Sequence, residues 1–501
     1  MSRHMSSASA TPVAPSLLQS SALSLITGAA PLVVALVALP ILTRQLGTER
    51  LGLLALAWAW LGYAALLDFG LGRALTRLVS ASDAGESFEA PIGAFVATAH
   101  VLLTLVGGVV GVIGAIVAPW YVTHVLRVSP ALQRDAVMSA IVFALAVPLI
   151  TGASVPRAVL EARQRFRDVN LVRLPVSVAT FAVPLILLPF TASLTVIAAT
   201  LAVVRAWAWW RYATRARVIL PPAADDSPAR TLLRPLLRAG AWMTVSNVLS
   251  PLMTVADRFL IGSLISVSAV ALYAVPWEAV TKLWIVPGAL TMVLFPSMSR
   301  AATAEPQELV PLHSAGVRLM LLIVVPVCAM ACLLAPTLLR MAGGRQYGGD
   351  SVQVLRILAV GVAANCVAIV PFTLLQASGR AKWTASLHLV EIVPFIALLW
   401  FAVTRWGIIG AAIAWTTRVL VDSALMMWRA HSVAPLPGLT HGLYAAGISL
   451  VALCAWLGAR SAAFDDPSVL MAVVLALAFP IVLWSRRSSA ERLVLDRVGG
   501  R

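Results

Sequence analysis

Charged residues are scarce in this chain of 501 amino acids. Asp, Glu, Lys and Arg together make up 12% of it, whereas they make up about a quarter of a soluble globular protein. The longest polar stretch runs only from about Arg211 to Arg238, which is too short for a soluble domain of useful size. The sequence therefore excludes a soluble enzyme and leaves no room for large domains outside a membrane.

The sequence also lacks the motifs of several chemistries. No Gly-x-x-x-x-Gly-Lys-Ser/Thr segment occurs, so the chain carries no nucleotide-driven motor of its own. No nucleophile–base arrangement stands out, and the adjacent acids Asp465 and Asp466 are interpreted as solvated turn residues. We therefore predict a protein that is not an enzyme, with no catalytic residues and no cofactor.

Cysteine and lysine are rare, and basic residues do not cluster. The four cysteines lie inside apolar runs; Cys328 and Cys332 share a helical face, but no further ligand completes a zinc set there, so we expect buried thiols and no metal. The net charge is +16, yet the cations stand at the ends of apolar runs instead of forming a basic domain with interleaved aromatics. This pattern excludes a nucleic-acid partner and favours membrane lipids.

Hydrophobic residues fill the chain: they make up 60% of it, and the mean hydropathy is +0.91. They form runs of about 18–25 residues, long enough to cross a hydrocarbon core of about 30 Å. We predict an all-α integral membrane protein with about fourteen transmembrane helices, the first of them too long for a cleaved signal. The predicted spans cover residues 18–42, 52–72, 93–118, 136–157, 171–190, 192–210, 239–263, 269–295, 315–339, 353–377, 383–403, 407–428, 439–459 and 467–485.

The positions of the basic residues predict the orientation. With the N-terminus inside, alternating loops place 24 of the 37 Lys and Arg residues on the cytoplasmic side and nine outside. This asymmetry is what the positive-inside rule requires. We therefore expect both termini to be cytoplasmic.

Three weak matches at nearly one offset indicate an internal repeat. Glu161–Arg165 matches Gln376–Arg380, and Ala198–Arg205 matches Ala411–Arg418; Gly47 and Gly262 stand at the same separation. Six spans per repeat is an even number, so the halves share one orientation about an axis along the membrane normal. We predict a disordered tail (1–17), an N-terminal six-helix bundle (18–213), a cytoplasmic linker (214–238), a C-terminal six-helix bundle (239–430), two extra transmembrane helices (431–485) and a basic cytoplasmic tail (486–501).

Nine of the ionisable residues in the predicted spans are candidates for a function, because a charge inside the membrane costs a few kcal/mol. They are Asp68, Arg205, Asp257, Arg258, Glu278, Lys282, Glu391, Arg418 and Asp422. Glu278 with Lys282 and Arg418 with Asp422 are spaced to pair on one helical face, and such pairs either join helices or assist a ligand. In the second interpretation the cations face a central cleft and hold an anionic headgroup such as a diphosphate, because several cations suit that charge in a low dielectric. The candidate ligands are Arg205, Arg258, Lys282 and Arg418, with Glu278 and Asp422 as charge partners.

Four tryptophans accompany these charges. Trp277, Trp284, Trp383 and Trp415 either stack on sugar rings or belong to interfacial belts.

Two hairpin signatures resemble those of a known family. Leu42–Leu53 and Leu66–Ala74 in the first half, with Ser246-Asn247, Asp257–Gly262, Ala271–Tyr273 and Leu374–Arg380 in the second, are similar to the oligosaccharide flippases of the multidrug/oligosaccharidyl-lipid/polysaccharide exporter superfamily. The resemblance implies two six-helix bundles plus two helices around a V-shaped cationic cavity. It also implies alternating-access transport of a polyprenyl-diphosphate-linked oligosaccharide across a bacterial inner membrane for surface polysaccharide (lipopolysaccharide or exopolysaccharide) biosynthesis.

The same resemblance suggests partners and a coupling site. Partners would be the lipid-linked oligosaccharide, membrane lipids, a polysaccharide polymerase and its chain-length machinery. Asp68 and Asp257 are the candidates for ion coupling; the spans of the first half are poor in acids, and Asp68 is the only clear candidate there. Two alternatives stay open: a drug exporter of the same superfamily, whose cavity should be net acidic, and an integral membrane glycan polymerase or ligase, which would need a larger outside loop.

Overall fold

The computed structural model describes residues 14–64, 67–68, 71–83, 90–220, 228, 230–232, 253–304, 306–460 and 467–485. Most of the predicted N-terminal tail, most of the cytoplasmic linker, the start of the seventh predicted span with Ser246-Asn247, and the basic C-terminal tail lie outside these residues. The described residues contain helices and no strand, which confirms the all-α prediction.

The described residues of the N-terminal half form seven helices. They are α1 (Ala14–Ala64), α2 (Leu71–Asp83), α3 (Ile92–Trp120, continued by a π-helical turn, Tyr121–Val125), α4 (Pro130–Leu145), α5 (Val147–Ala162), α6 (Phe166–Leu187) and α7 (Leu194–Ile219). Helix α5 packs on α2, α3 and α7, and α6 packs between α1 and α7. These contacts bury two small apolar clusters of their own beside the main core.

The C-terminal half follows after a 3₁₀ turn, Arg230–Leu232. Its helices are α8 (described over residues 253–264), α9 (Val267–Thr281), α10 (Ile285–Ala304), α11 (Leu309–Gly343), α12 (Asp350–Ala377), α13 (Ala381–His431), α14 (Gly438–Arg460) and α15 (Pro467–Ser485). Helix α12 is the centre of this half, because it packs against α9, α10, α11 and α13. Helices α14 and α15 pack against α11, at the periphery of this half.

Two of the helices contain a glycine that reverses or bends the chain. Gly407 in α13 has a φ of 58°, and Gly47 in α1 has a φ of 76°, both in the left-handed region that glycine occupies without strain. In α13 the chain folds back: a Cβ at Gly410 would overlap the carbonyl oxygen of Ala402. The spans predicted at 383–403 and 407–428 are therefore the two arms of one helical hairpin.

Both halves interrupt their second helix at the same place. The chain leaves α1 at Ala64 and begins α2 at Leu71, so the span predicted at 52–72 is not one helix. In the second half a 3₁₀ turn, Lys282–Trp284, separates α9 from α10 within the span predicted at 269–295. The two breaks are separated by about the 215 residues of the predicted repeat, and each contains a charged residue, Asp68 or Lys282.

Eight helical segments among the described residues are long and apolar enough to cross a membrane. They are Ile92–Val125, Pro130–Ala162, Phe166–Leu187, Val267–Ala302, Pro306–Gly343, Asp350–Ala377, Ala381–His431 and Gly438–Arg460. Ala381–His431 contains two arms. The membrane class is confirmed, and the count of fourteen stays a prediction.

Candidate functional site

A partly buried carboxylate and two cations form the first charged group. Glu278 on α9 forms an ion pair with Lys282, whose Nζ lies 2.6 Å from one carboxylate oxygen; this is the i, i+4 contact that the spacing predicts. Its other oxygen receives an Arg258 guanidinium nitrogen at 3.4 Å, from the neighbouring helix α8. Glu278 thus joins two helices and holds two of the four predicted headgroup cations together.

Asp257 is fully buried beside this group, and both of its carboxylate oxygens accept hydrogen bonds from protein groups. The hydroxyl of Tyr273 donates to one of its oxygens at 2.5 Å, and the backbone N–H of Arg258 donates to the other at 2.7 Å. A buried carboxylate that accepts such bonds stays satisfied without a bound ion. A coupling role for Asp257 remains a prediction.

Two tryptophans connect this group to helix α13. The guanidinium of Arg258 lies 5.7 Å from the ring centre of Trp277, and Trp277 meets Trp415 edge to face at 4.8 Å. Both rings are buried, with 3% and 1% of their surface exposed. In this conformation neither the predicted sugar-stacking role nor a membrane belt fits these two residues, because their faces are covered by protein.

Lys282 is the most accessible of these charged side chains. Its side chain is 28% exposed, whereas that of Arg258 is 7% exposed. Its ammonium lies 5.3 Å above the ring of Phe181, which belongs to α6 of the other half and contacts Trp58 at 4.9 Å. The lysine therefore stands at the junction of the two halves, on the break between α9 and α10.

The α13 hairpin builds a second charged group. Arg418 contacts Glu391 at 3.5 Å, and the His388 ring contacts Asp422 at 3.7 Å. On one straight helix Glu391 and Arg418 would be about 40 Å apart; the reversal at Gly407 brings them together. The predicted pairing of Arg418 with Asp422 is therefore wrong, since each side chain reaches across the hairpin to the opposite arm.

His388, Glu391 and Asp422 also form a potential cation site. Their possible ligand atoms all lie within 4.8 Å of one another, and all three residues are buried. One imidazole and two carboxylates are a donor set that binds a cation or a shared proton. Sequence reasoning noted Glu391 only as an intramembrane charge and missed His388; their i, i+3 spacing on an apolar helix is the signal that could have drawn attention to both.

The two remaining site residues lie elsewhere in the N-terminal half. Arg205 is partly buried on α7, where the described residues provide no acidic partner. Asp68 stands at the break before α2, where its backbone carbonyl accepts the N–H of Leu71 at 2.9 Å. Neither residue joins the two charged groups described above.

The two halves meet tightly at the helix ends predicted to lie outside. A Cβ at Gly52 on α1 would overlap the carbonyl oxygen of Val267, the first residue of α9. The N–H of Arg127 donates to the carbonyl of Gly262 at 3.3 Å, and a Cβ at Gly343 would lie 2.9 Å from Thr43. These contacts close the junction on that side of Lys282.

Three comparisons place the chain among known proteins. Residues 17–302 match the family described as polysaccharide biosynthesis protein. A Shigella flexneri protein named "Putative O-antigen transporter" is 30% identical over 413 residues, covering 82% of this chain and 97% of the relative.

Solved structures share the fold. A lipid II flippase, MurJ, in an inward closed conformation superposes with a TM-score of 0.72 at 10% identity, covering 97% of this chain and all of the other. An inward-facing multidrug transporter of the MATE family superposes with a TM-score of 0.63 at 18% identity, covering 83% of this chain and 95% of the other. At these identities the likeness concerns the fold alone.

Proposed function

This chain belongs to the polysaccharide biosynthesis protein family, and from that premise we propose that it is a flippase for a polyprenyl-diphosphate-linked oligosaccharide. It would act in a bacterial inner membrane, with both termini in the cytoplasm, and deliver repeat units to the outer leaflet for a surface polysaccharide. A polysaccharide polymerase and its chain-length machinery would use the delivered units.

The position of Lys282 carries the proposal. It is the one headgroup candidate whose side chain combines partial exposure with a place at the junction of both halves. Its ammonium is held by Glu278, so a diphosphate that enters the junction would compete with one carboxylate for the cation. A residue that can exchange a protein carboxylate for a ligand phosphate is suited to reversible binding.

The other three candidate cations would contact the ligand only after a conformational change; they are Arg258, Arg418 and Arg205. The side chains of Arg258 and Arg418 are only 7% and 9% exposed and are paired with Glu278 and Glu391, so both must change partners to reach a ligand. Such an exchange suits alternating access, in which each state pairs the cations differently. Arg205, at the equivalent place of the first half, would add a fourth cation when the halves rearrange.

The closed junction supports alternating access. Gly52, Val267, Arg127 and Gly262 hold the halves together on the side predicted to lie outside. A carrier closed on that side would receive its substrate from the cytoplasmic leaflet, where lipid-linked units are made. Opening the Gly52 contact would then release the unit outward.

The cation group of the α13 hairpin would couple the cycle to an ion. His388, Glu391 and Asp422 are buried next to Arg418, so a sodium ion or a proton bound there changes the partners available to that arginine. This group supplements Asp68 and Asp257, the coupling candidates of the sequence.

The test is export by substituted protein in a strain that lacks the native gene. Lys282→Ala is expected to abolish surface polysaccharide and to accumulate cytoplasm-facing lipid-linked units at normal protein levels. Lys382→Ala is the matched control, because Lys382 is the other lysine of the chain and is exposed in the first turn of α13. Normal polysaccharide in the Lys282 variant would remove it from the transport site; unchanged glycan with altered drug susceptibility in the deletion strain would favour the exporter instead.

A further inference from the structure

A polar pocket lies at the ends of α6 and α7 that are predicted to be cytoplasmic, away from the intramembrane charges. It has a volume of about 450 Å³ and is lined by Arg165, Arg167, Asp168, Leu171 and Arg215. None of these residues belongs to the transport site proposed above.

One buried carboxylate organises the pocket. Asp168 in the first turn of α6 accepts two nitrogens of Arg165, at 2.8 Å and 2.7 Å, and lies 3.9 Å from Arg215 on α7. The chain reaches this geometry through Gln164, which has a φ of 55°, an uncommon conformation for a residue other than glycine. Asp168 therefore orients two guanidinium groups whose outer sides stay open to solvent, with 54% and 45% of the side chains exposed.

The charge and shape of the lining define the ligand. Three arginines and one aspartate leave an excess of two positive charges, and the lining contains no aromatic ring that a sugar could stack on. The remaining lining residue, Leu171, is 52% exposed, so the pocket has an open apolar edge. A small anion attached to an apolar body fits these features better than a carbohydrate does.

We propose that this pocket binds the phosphodiester headgroup of an anionic glycerophospholipid from the cytoplasmic leaflet. Basic pockets between membrane helices on the cytoplasmic side bind such headgroups, because anionic lipids are concentrated in that leaflet. Guanidinium groups also form bidentate hydrogen bonds with phosphate. Arg165 and Arg167 hold the phosphate, Arg215 closes the pocket from α7, and Leu171 contacts the glycerol and first methylenes. The lipid would thus bridge α6, which carries Phe181, to α7, which carries Arg205.

The internal repeat provides a contrast. Arg380 is the repeat equivalent of Arg165, and it donates to the Ser432 hydroxyl at 3.3 Å, as Arg429 does. There a neutral hydroxyl, and not a buried acid, receives the guanidinium groups. The acid-organised pocket is thus a feature of the first half and not a general consequence of basic helix ends.

The test measures lipid binding to the delipidated full-length protein by native mass spectrometry. Arg165→Gln/Arg215→Gln is expected to weaken the binding of dioleoylphosphatidylglycerol about thirtyfold, because each basic residue near an anionic surface contributes roughly 1 kcal/mol. Arg380→Gln/Arg429→Gln is the matched control, with the same charge removed from the other half, and should change affinity less than about twofold. Zwitterionic dioleoylphosphatidylcholine should bind all forms alike.

A second variant distinguishes the loss of the binding site from a folding defect. Leu171→Glu leaves the Asp168 pairs in place and adds a carboxylate at the exposed edge, so it should reduce phosphatidylglycerol binding as strongly. Equal losses in both double variants would assign binding to diffuse surface charge and overturn the site. A loss for undecaprenyl diphosphate alone, with phosphatidylglycerol unaffected, would assign the pocket to the cargo and overturn the phospholipid. Failure of Lys282→Ala to affect export would leave the result of this binding assay unchanged.

Discussion

The α-carbon of Gly52 lies so close to the carbonyl of Val267 that no side chain fits between them. A Cβ at position 52 would stand 2.9 Å from the carbonyl carbon of Val267 and would overlap its oxygen. The contact joins α1 of the first half to α9 of the second half. It makes Gly52 a point at which the backbones of the two halves are in direct contact.

Substitution of this glycine should hold the junction open. Gly52→Ala is expected to cut export strongly while the protein is still made, because backbone atoms of α9 cannot move away as a flexible side chain could. Gly62→Ala on the same arm of α1 is the control, since a Cβ there meets nothing within 4 Å. Export and labelling by a membrane-impermeant reagent of a cysteine placed at Ser139 measure the effect. Equal export by both variants would contradict a tight closure at Gly52.

The order of stabilities around Glu278 provides a second prediction. Glu278→Gln leaves Arg258 and Lys282 facing each other without an acid, and breaking a buried ion pair costs about 3–5 kcal/mol. Lys282→Met leaves Glu278 paired with Arg258, so it should destabilise much less. Thermal denaturation in detergent should therefore rank the wild type first, Lys282→Met second and Glu278→Gln last. The reverse order of the two variants would mean that Glu278 is protonated and not ionised.

Asp257 and Tyr273 should be energetically coupled. Tyr273→Phe removes the donor to a fully buried carboxylate oxygen and should cost about 1–3 kcal/mol of unfolding free energy. In Asp257→Asn the charge is gone, so the additional loss on Tyr273→Phe should be much smaller. A double-mutant cycle measured by chemical denaturation gives the coupling energy. Additive effects would show that the 2.5 Å contact does not persist in the membrane protein.

The α13 hairpin predicts a response to a cation. Sodium chloride should raise the melting temperature of the wild type above its value in choline chloride, and Asp422→Asn should lose that difference. Asp350→Asn is the control, because Asp350 is an exposed acid at the start of α12 and outside the cluster. If neither salt nor a change of pH distinguishes Asp422→Asn from the wild type, the three side chains bind no coupling ion.

The amino-acid sequence determined the fold class of this protein and the contacts within single helices. Composition and apolar run length specified an all-α membrane protein, because only helices satisfy the backbone within lipid. The i, i+4 spacing of Glu278 and Lys282 predicted their contact, since one helical turn determines it. The hairpin signatures identified the family, which the profile match and the 30% identical relative confirm.

Contacts between helices were decided only by the tertiary structure. The spacing of Arg418 and Asp422 predicted a pair, but the left-handed turn at Gly407 places Glu391 and His388 closer to them. The side chain of Asp257 lies beside Tyr273, and that of Lys282 lies above Phe181. Both positions likewise depend on how separate helices rotate and cross. Periodicity reports which residues share one helix face, and it carries no information about the helix that this face meets; that information is in the packing.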